Sequence, residues 1–255
     1  MSVRERKLRV RARVWNLLAR TGSVVGDPRG RIPNFVGAAA AAERLATTPQ
    51  WRAARVIKCN PDKAQAPVRA QALREGKQLY MAVPALTESK PFFHVNPVLN
   101  GHTLEEAATS AVVATHAPLV DLEAMSHIDL VVSGCTAVNG AGARLGKGAG
   151  YADIEMGLLV EAGLVDDATV LAATVHELQV FSIDNFPEEP HDFRLDLIVT
   201  PSQVIECARV QRPAGIDWAL LPAAKVAAIP ALTVRQPQGD AKRSLTPVRC
   251  ETDSP

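Results

Sequence analysis

Residues 140 to 150 read Gly-Ala-Gly-Ala-Arg-Leu-Gly-Lys-Gly-Ala-Gly, with an apolar run before them and a helical pattern after them. Glycines at such a junction let the backbone come close to a polyphosphate. Its N–H groups can then meet the oxygens while the following helix offers its positive end. Arg144 and Lys147 add two full charges. Neither familiar phosphate motif is present. A Walker A loop follows its lysine with Ser or Thr to hold magnesium, whereas Lys147 is followed by Gly148. In a dinucleotide fingerprint starting at Gly140 the third glycine would replace Leu145, and Gly146 comes one residue late. Composition alone leaves an ordinary surface loop as the alternative to a phosphate cradle.

Other side chains carry weaker signals. Lys7 and Arg11 are four apart on a helical pattern, which suits either a gripped anion or two solvated cations. Asp153 lies near a helix start, where a carboxylate is stabilising without any metal, and Tyr151 beside it reads as packing. His191-Asp192 after Pro190 has the composition of a turn with an Asx hydrogen bond. His176-Glu177 supplies too few donors for a metal, and His94, His102, His116 and His127 show no ligand spacing. Cys59, Cys135, Cys207 and Cys250 have no CxxC spacing, so reduced, mostly buried thiols are expected. Trp15, Trp51 and Trp218 are far apart and are expected to pack.

The elements that must position these groups alternate in type. Residues 4–19 place Val10, Val14, Leu17 and Leu18 at helical spacing with cations on the remaining surface. Residues 21–35 hold two prolines and three glycines without apolar period and read as a loop, and 37–45 as helix. Strands are predicted over 55–59, 78–83, 128–133, 169–175 and 194–200. Helices are predicted over 63–76, with Pro67 in its first turn, over 103–115, opened by a Thr103/Glu106 capping box, and over 151–162. Pro201 is expected to start one more. Such alternation predicts a mostly parallel sheet covered on both faces, a three-layer α/β/α sandwich formed by residues 1–235 as a single domain. Residues 236–255 are polar and aperiodic and are expected to be a frayed tail.

The 28 Lys and Arg balance 27 Asp and Glu, so nothing in the overall charge argues for a nucleic-acid or membrane-surface partner, and any anion site must be local. No apolar run reaches the roughly 18 residues of a bilayer span, and no secretory pattern opens the chain. A cytoplasmic protein is expected.

Taken together, Arg144-Leu145-Gly146-Lys147-Gly148-Ala149-Gly150-Tyr151-Ala152-Asp153 resembles the signature R-L-G-x-G-x-G-Y-Y-D of the 5-formyltetrahydrofolate cyclo-ligases, or methenyltetrahydrofolate synthetases. Lys7 with Arg11 resembles the family's N-terminal K-x-x-x-R helix, and residues 129–133 its strand before the loop. Gln179, His191-Asp192 and residues 196–200 resemble its downstream Q…H-D…D-x-x-x-T block. Arg31-Ile32-Pro33-Asn34-Phe35, Pro61-Asp62-Lys63 and the Gly146-Lys147-Gly148 form are closer still to the divergent branch of methenyltetrahydrofolate synthase domain-containing proteins. The resemblance covers most of the chain, with only the tail outside it.

The resemblance implies a NagB/RpiA/CoA-transferase-like fold, an ATP-dependent carbon–nitrogen ligase, and ATP and Mg2+ as cofactors. In the family, a formyl oxygen is phosphorylated, a neighbouring folate nitrogen attacks, and phosphate departs, giving 5,10-methenyltetrahydrofolate. It further implies that Lys7, Arg11, Arg144 and Lys147 meet the ATP phosphates and that Gly146, Gly148, Ala149 and Gly150 shape the turn. Tyr151 would line the wall, and Asp153, with a weaker contribution from Asp192, would hold magnesium. Lys7, Arg144, Lys147 and Asp153 would be catalytic. The expected partners are ATP and a folate or other formyl or acyl substrate, in a monomer or homodimer. Ala152 replaces the second signature tyrosine, Ile154 stands where an arginine often follows, and only Asn34-Phe35-Val36-Gly37 lies near the place of the folate-pocket glutamate. These departures fall on the folate side, which leaves a ligase for another formyl, carboxyl or amide substrate, or a non-catalytic binding paralogue, as alternatives. Residues 214–234 are expected to cover either the site or a partner.

Overall fold

Short apolar runs ending at glycine, proline or polar turns form the strands, and the longer alanine- and leucine-rich stretches form the helices. The computed structural model describes residues 1–95, 101–182 and 186–237. Its first half contains α1 (Val3–Arg20), α2 (Ala38–Ala46), α3 (Pro49–Ala53), β1 (Val56–Cys59), α4 (Ala66–Arg74), β2 (Gln78–Ala82), β3 (Phe92–Val95), α5 (Leu104–Ala107), α6 (Ser110–His116), β4 (Leu119–Val120) and β5 (Leu130–Ser133). The second half contains β6 (Ala137–Asn139), β7 (Arg144–Leu145), α7 (Tyr151–Glu161), β8 (Val170–Thr174), β9 (Val180–Phe181), β10 (Leu197–Val199), β11 (Val204–Glu206), α8 (Ala223–Ala227) and α9 (Pro230–Thr233).

Eight of these strands make one sheet in the order β11-β10-β8-β5-β1-β2-β3-β4. Its five central strands run parallel, and β11, β3 and β4 join antiparallel at the edges. Successive residues of each central strand go to opposite cores. Ile57, Leu79, Met81, Leu130, Val132, Leu197 and Val199 pack under α2 to α6. Tyr80, Ala82, Val131, Leu171, Ala173 and Ile198 pack under α7, α8 and α9. The sheet is therefore buried on both faces, which is why its strands read as continuous apolar runs. Lys58 is the exception, a charged residue pointing between Ile57 and Cys59 toward the α7 side.

A smaller sheet, β7-β6-β9, lies under α1. The buried stripe of α1 is Lys7, Arg11, Val14 and Leu18, spaced four, three and four. Its C-terminal half, Val14 and Leu18, packs on Ala137 and Leu145 of the small sheet, so its N-terminal half brings two buried cations beyond the apolar contact. Ser2 and Glu5 close a reciprocal capping box at the start of the helix.

Several expectations are corrected. Pro201 opens a tight hairpin: the Thr200 N–H donates to the Gln203 carbonyl, the Thr200 hydroxyl accepts from the Ser202 and Gln203 N–H groups, and β11 follows. Proline's fixed φ suits a turn as well as a first helical position, and the β-branched Val204-Ile205 pair decides between them. The 103–115 helix is two helices, because Thr109 caps α6 with its side chain after the Thr103/Glu106 capping box has started α5. The first half of the glycine-dense segment is the turn between β6 and β7. A Cβ at Gly142, φ +88°, would lie 2.3 Å from the Leu195 carbonyl oxygen, so that position excludes any side chain. Cys59 and Cys135 are buried and Cys207 half-buried, all free thiols; burial pushes Cys135 up to about 12 and Cys207 up to about 11. Cys250 and nearly all of the 236–255 tail lie outside the described residues. Among the described residues no helix is long and apolar enough to cross a membrane.

Candidate functional site

Beyond the C-terminal ends of β1, β2 and β5, where ligands of open parallel sheets are held, lies a cleft of about 420 Å³. Its walls are Lys7, Leu8 and Arg11 of α1, residues 60–62 after β1, residues 83–86 after β2, Gly134 after β5, residues 144–153 and Glu155, and Glu189, His191 and Asp192.

The glycine turn forms one wall. Gly148 and Gly150 have φ of +102° and +74°, left-handed values that glycine adopts without strain, and α7 begins immediately after Gly150 with no side chain capping its first turn. The N-terminal N–H groups of an eleven-residue helix therefore face this end of the cleft. Arg11 Nε donates to the Gly146 carbonyl at 2.7 Å, and its guanidinium lies beneath Gly148. Lys147 is exposed on the turn. Its charge partly offsets burial, which raises the Asp62 carboxyl across the cleft.

The other cations are held by carboxylates. Lys7 Nζ donates to Glu189 Oε2 at 2.7 Å and Asp192 Oδ2 at 2.5 Å, and Asp192 also accepts the Glu189 N–H. Arg144 stacks on the Phe193 ring at 3.5 Å and pairs with Asp153. Burial raises the Asp153 carboxyl; Arg144 is the strongest influence against this, and the Asp192 charge adds to the rise. Donor atoms of Glu189, His191 and Asp192 lie within 4.8 Å of one another. The carboxylate oxygens of Glu189 and Asp192 are hard donors of the kind magnesium prefers, while Asp153 lies outside this donor group, paired with Arg144.

All the residues named from the signature and from the α1 pair line this one cleft. Tyr151 is half-buried against the core. The downstream block divides: His191-Asp192 reaches the cleft, but Gln179 ties the Cys135 and Thr136 carbonyls to the His176 N–H, and Asp196 accepts the Leu171 N–H and binds Arg212. His176 caps its own turn by accepting the Leu178 N–H, and Glu177 accepts from Ser202. Trp51 is fully buried, and Trp218 packs against the α7 side of the core.

Sequence reasoning missed the opposite wall. Asp62 lies against Gly134, whose Cβ would approach Asp62 Oδ2 to 2.7 Å, so a carboxylate does stand on the cleft wall away from residues 34–37. Glu155 pairs with the fully buried Lys58, whose Nζ also donates to Asn60 Oδ1 at 2.7 Å. Burial pushes the Lys58 ammonium down to about 7, and the Glu155 carboxylate against it favours the charged form. A lone lysine in an otherwise apolar strand was the legible signal. Ala85 and Leu86 hold left-handed φ of +58° and +53° in the same wall, a strained backbone fixed by the Leu86 N–H bond to the Val83 carbonyl.

Residues 2–201 match the 5-formyltetrahydrofolate cyclo-ligase family. The chain is 36% identical over 248 residues to a mouse protein named methenyltetrahydrofolate synthase domain-containing protein, covering 94% of this chain and 66% of that one. It is 34% identical over 245 residues to a cattle protein of the same name, covering 93% and 64%. The chain thus spans slightly less than two thirds of these relatives. The solved NMR structure of Aquifex aeolicus 5,10-methenyltetrahydrofolate synthetase shares the fold, with a TM-score of 0.51 at 18% identity, covering 87% of this chain and 100% of that one. From its N-terminal helix to the hairpin after β10, this chain belongs to the 5-formyltetrahydrofolate cyclo-ligase family.

Proposed function

We propose that the chain is an ATP-dependent carbon–nitrogen ligase converting 5-formyltetrahydrofolate to 5,10-methenyltetrahydrofolate with release of ADP and phosphate. One observation carries this reading: a glycine turn at the head of α7 shares its cleft with Lys7, Arg11, Arg144 and Lys147. Phosphoryl transfer demands positioning and charge neutralisation more than covalent help from the protein. Lys147 and the α7 N–H groups would face the triphosphate, Arg11 fixes the turn from below, and Arg144 orients Asp153. The γ-phosphoryl group passes to the formyl oxygen. The neighbouring nitrogen attacks the formyl carbon, loses its proton to water, and the carbon–oxygen bond breaks with phosphate taking the electron pair. Asp153 and Asp192 would hold magnesium, which when bound would neutralise phosphate charge.

A second reading, the same activation applied to another formyl, carboxyl or amide acceptor, is favoured by the acceptor wall. There Asp62 and the Lys58–Glu155 pair present buried charge beside the strained 85–86 backbone. Both readings are tested by an ADP-release assay over an acceptor panel beginning with 5-formyltetrahydrofolate, with methenyltetrahydrofolate absorbance followed in parallel. Lys147→Ala and Asp153→Ala should each lose turnover by about a hundredfold or more; full activity in both overturns the assignment. ADP release without the methenyl absorbance, on another acceptor, selects the second reading.

A further inference from the structure

The family match ends at residue 201, yet the chain continues past β11 across the outer face of α7. Arg212 fastens this strap to the sheet edge by donating to the Thr169 carbonyl at 2.8 Å and to Asp196 Oδ2 at 2.5 Å. At the end of α7, Glu161 accepts from the Ile216 N–H at 3.0 Å and from Trp218 Nε1 at 3.3 Å. Val226, Ile229, Ala231 and Leu232 then enter the core. Lys225, the neighbour of buried Val226, donates to the Ala149 carbonyl at 2.8 Å, and its ammonium lies 3.5 Å from the centroid of the Tyr151 ring.

That bond reaches the middle of the glycine turn. A trans peptide plane carries its C=O and N–H in opposite directions, and the chain has no cis peptide among its described residues. Drawing the Ala149 carbonyl toward Lys225, which is not part of the cleft wall, turns the Gly150 N–H away from Lys225, and Gly150 itself lines the cleft. Gly148 and Gly150 on either side of Ala149 make rotation of this plane cheap, and the rotated plane would present a carbonyl oxygen to an anion.

We propose that Lys225 is a positioning residue of the nucleotide site, which fixes the Ala149–Gly150 peptide in its anion-accepting orientation. The strap thereby belongs to the phosphate side of the cleft, answering whether residues 214–234 serve the site or a partner. As a statement about nucleotide this rests on the ligase reading, but the orientation of the peptide does not.

Two measurements on the full chain separate them. Calorimetric titration with Mg-ATP should show Lys225→Ala weakened about tenfold, the scale of one hydrogen bond to a charged donor, with Lys225→Arg recovering most of the loss. The thermal midpoint should stay near that of the wild type, because the strap is anchored elsewhere. Unchanged affinity in Lys225→Ala, or a lost midpoint with intact affinity, overturns the proposal. Amide hydrogen exchange at residues 148–152 in the nucleotide-free protein should be at least several-fold faster in Lys225→Ala. Equal exchange overturns the positioning role even where ATP binds. Faster exchange in a protein that binds no ATP upholds it while the ligase reading fails.

Discussion

Arg144 is the residue whose removal the structure prices most directly. Its side chain is 2% exposed and that of Asp153 is 23% exposed, so Arg144→Met keeps an apolar chain in the space beside Phe193 but strands a largely buried carboxylate beside Asp192. Breaking a buried ion pair from one side costs about 3–5 kcal/mol, and the partial exposure of Asp153 places this case near 3. For a chain of this size that is a fall of roughly 6–12 °C in thermal midpoint. The loss should depend on pH in a defined sense. With its partner gone, the folded-state carboxyl of Asp153 is raised further above its unfolded value. Between those two values the folded state binds more protons than the unfolded chain. Stability of Arg144→Met therefore falls as pH rises through that window and is lowest above it, so the variant is closer to wild type at pH 5 than at pH 8. Asp153→Asn added to Arg144→Met removes the stranded charge and should return about 2 kcal/mol in a double-mutant cycle read by urea unfolding. Additive losses in that cycle, or a destabilisation identical at both pH values, would refute the argument that the pair is electrostatically coupled.

Two other substitutions test neighbouring parts of the molecule. Glu155→Gln leaves Lys58 buried without its carboxylate. The ammonium is already pushed down to about 7 in the wild type against an unfolded value of 10.5, and losing the carboxylate lowers it further, so the variant's stability should rise with pH over a window that extends below pH 7, where the wild type is flat, at no more than roughly 1.4 kcal/mol per pH unit. Urea midpoints at pH 6, 8 and 9.5 that run parallel to the wild type would show that Glu155 does not hold that charge. Gly157→Val places methyl groups where a Cβ already meets Ile216 Cγ1 at 2.7 Å and the Gly215 carbonyl carbon at 3.1 Å. It should cost about 1–3 kcal/mol and accelerate proteolysis near residues 207–222; an unchanged cleavage rate would mean the strap yields without leaving α7.

The sheet centre was legible because its physics is local: each central strand is a short apolar run with both faces buried. The signature decamer was legible through its resemblance to the family, since by composition alone an ordinary surface loop remained open. What escaped were the elements fixed by partners far along the chain. β3 and β4, with Phe92 and Leu119, are edge strands whose pairing no period announces. β6, β7 and β9 are two or three residues each and exist because α1 covers them. The helix expected at Pro201 failed where a hairpin bond outweighed a positional preference. In the site, Asp62 and Glu155 were hidden by distance: the first comes after β1 and the second from α7, and only the closure of the sheet sets them on one wall. Gln179, quoted only for the family resemblance, uses its amide on backbone groups behind the cleft.

On the proposed reading, the cleft is a set of charges already engaged with their own chain. Lys7 is clasped by Glu189 and Asp192, Arg144 by Asp153, Arg11 by the Gly146 carbonyl and Lys225 by the Ala149 carbonyl. The last two bind backbone and need not let go when a phosphate arrives; they set the shape of the turn. The first two bind the carboxylates that suit a divalent cation. Glu189 and Asp192 hold Lys7; were the Asp192 side of this group to take a divalent cation, the hold on Lys7 would weaken and its ammonium would be freer to meet phosphate. On that reading nucleotide and metal affinities would be linked, each raising the other by the same factor. Bringing a triphosphate in with its cation then requires little net uncovering of buried charge. That would let a chain with a net charge of only +1 hold so highly charged a ligand in a cleft walled by acids as well as bases.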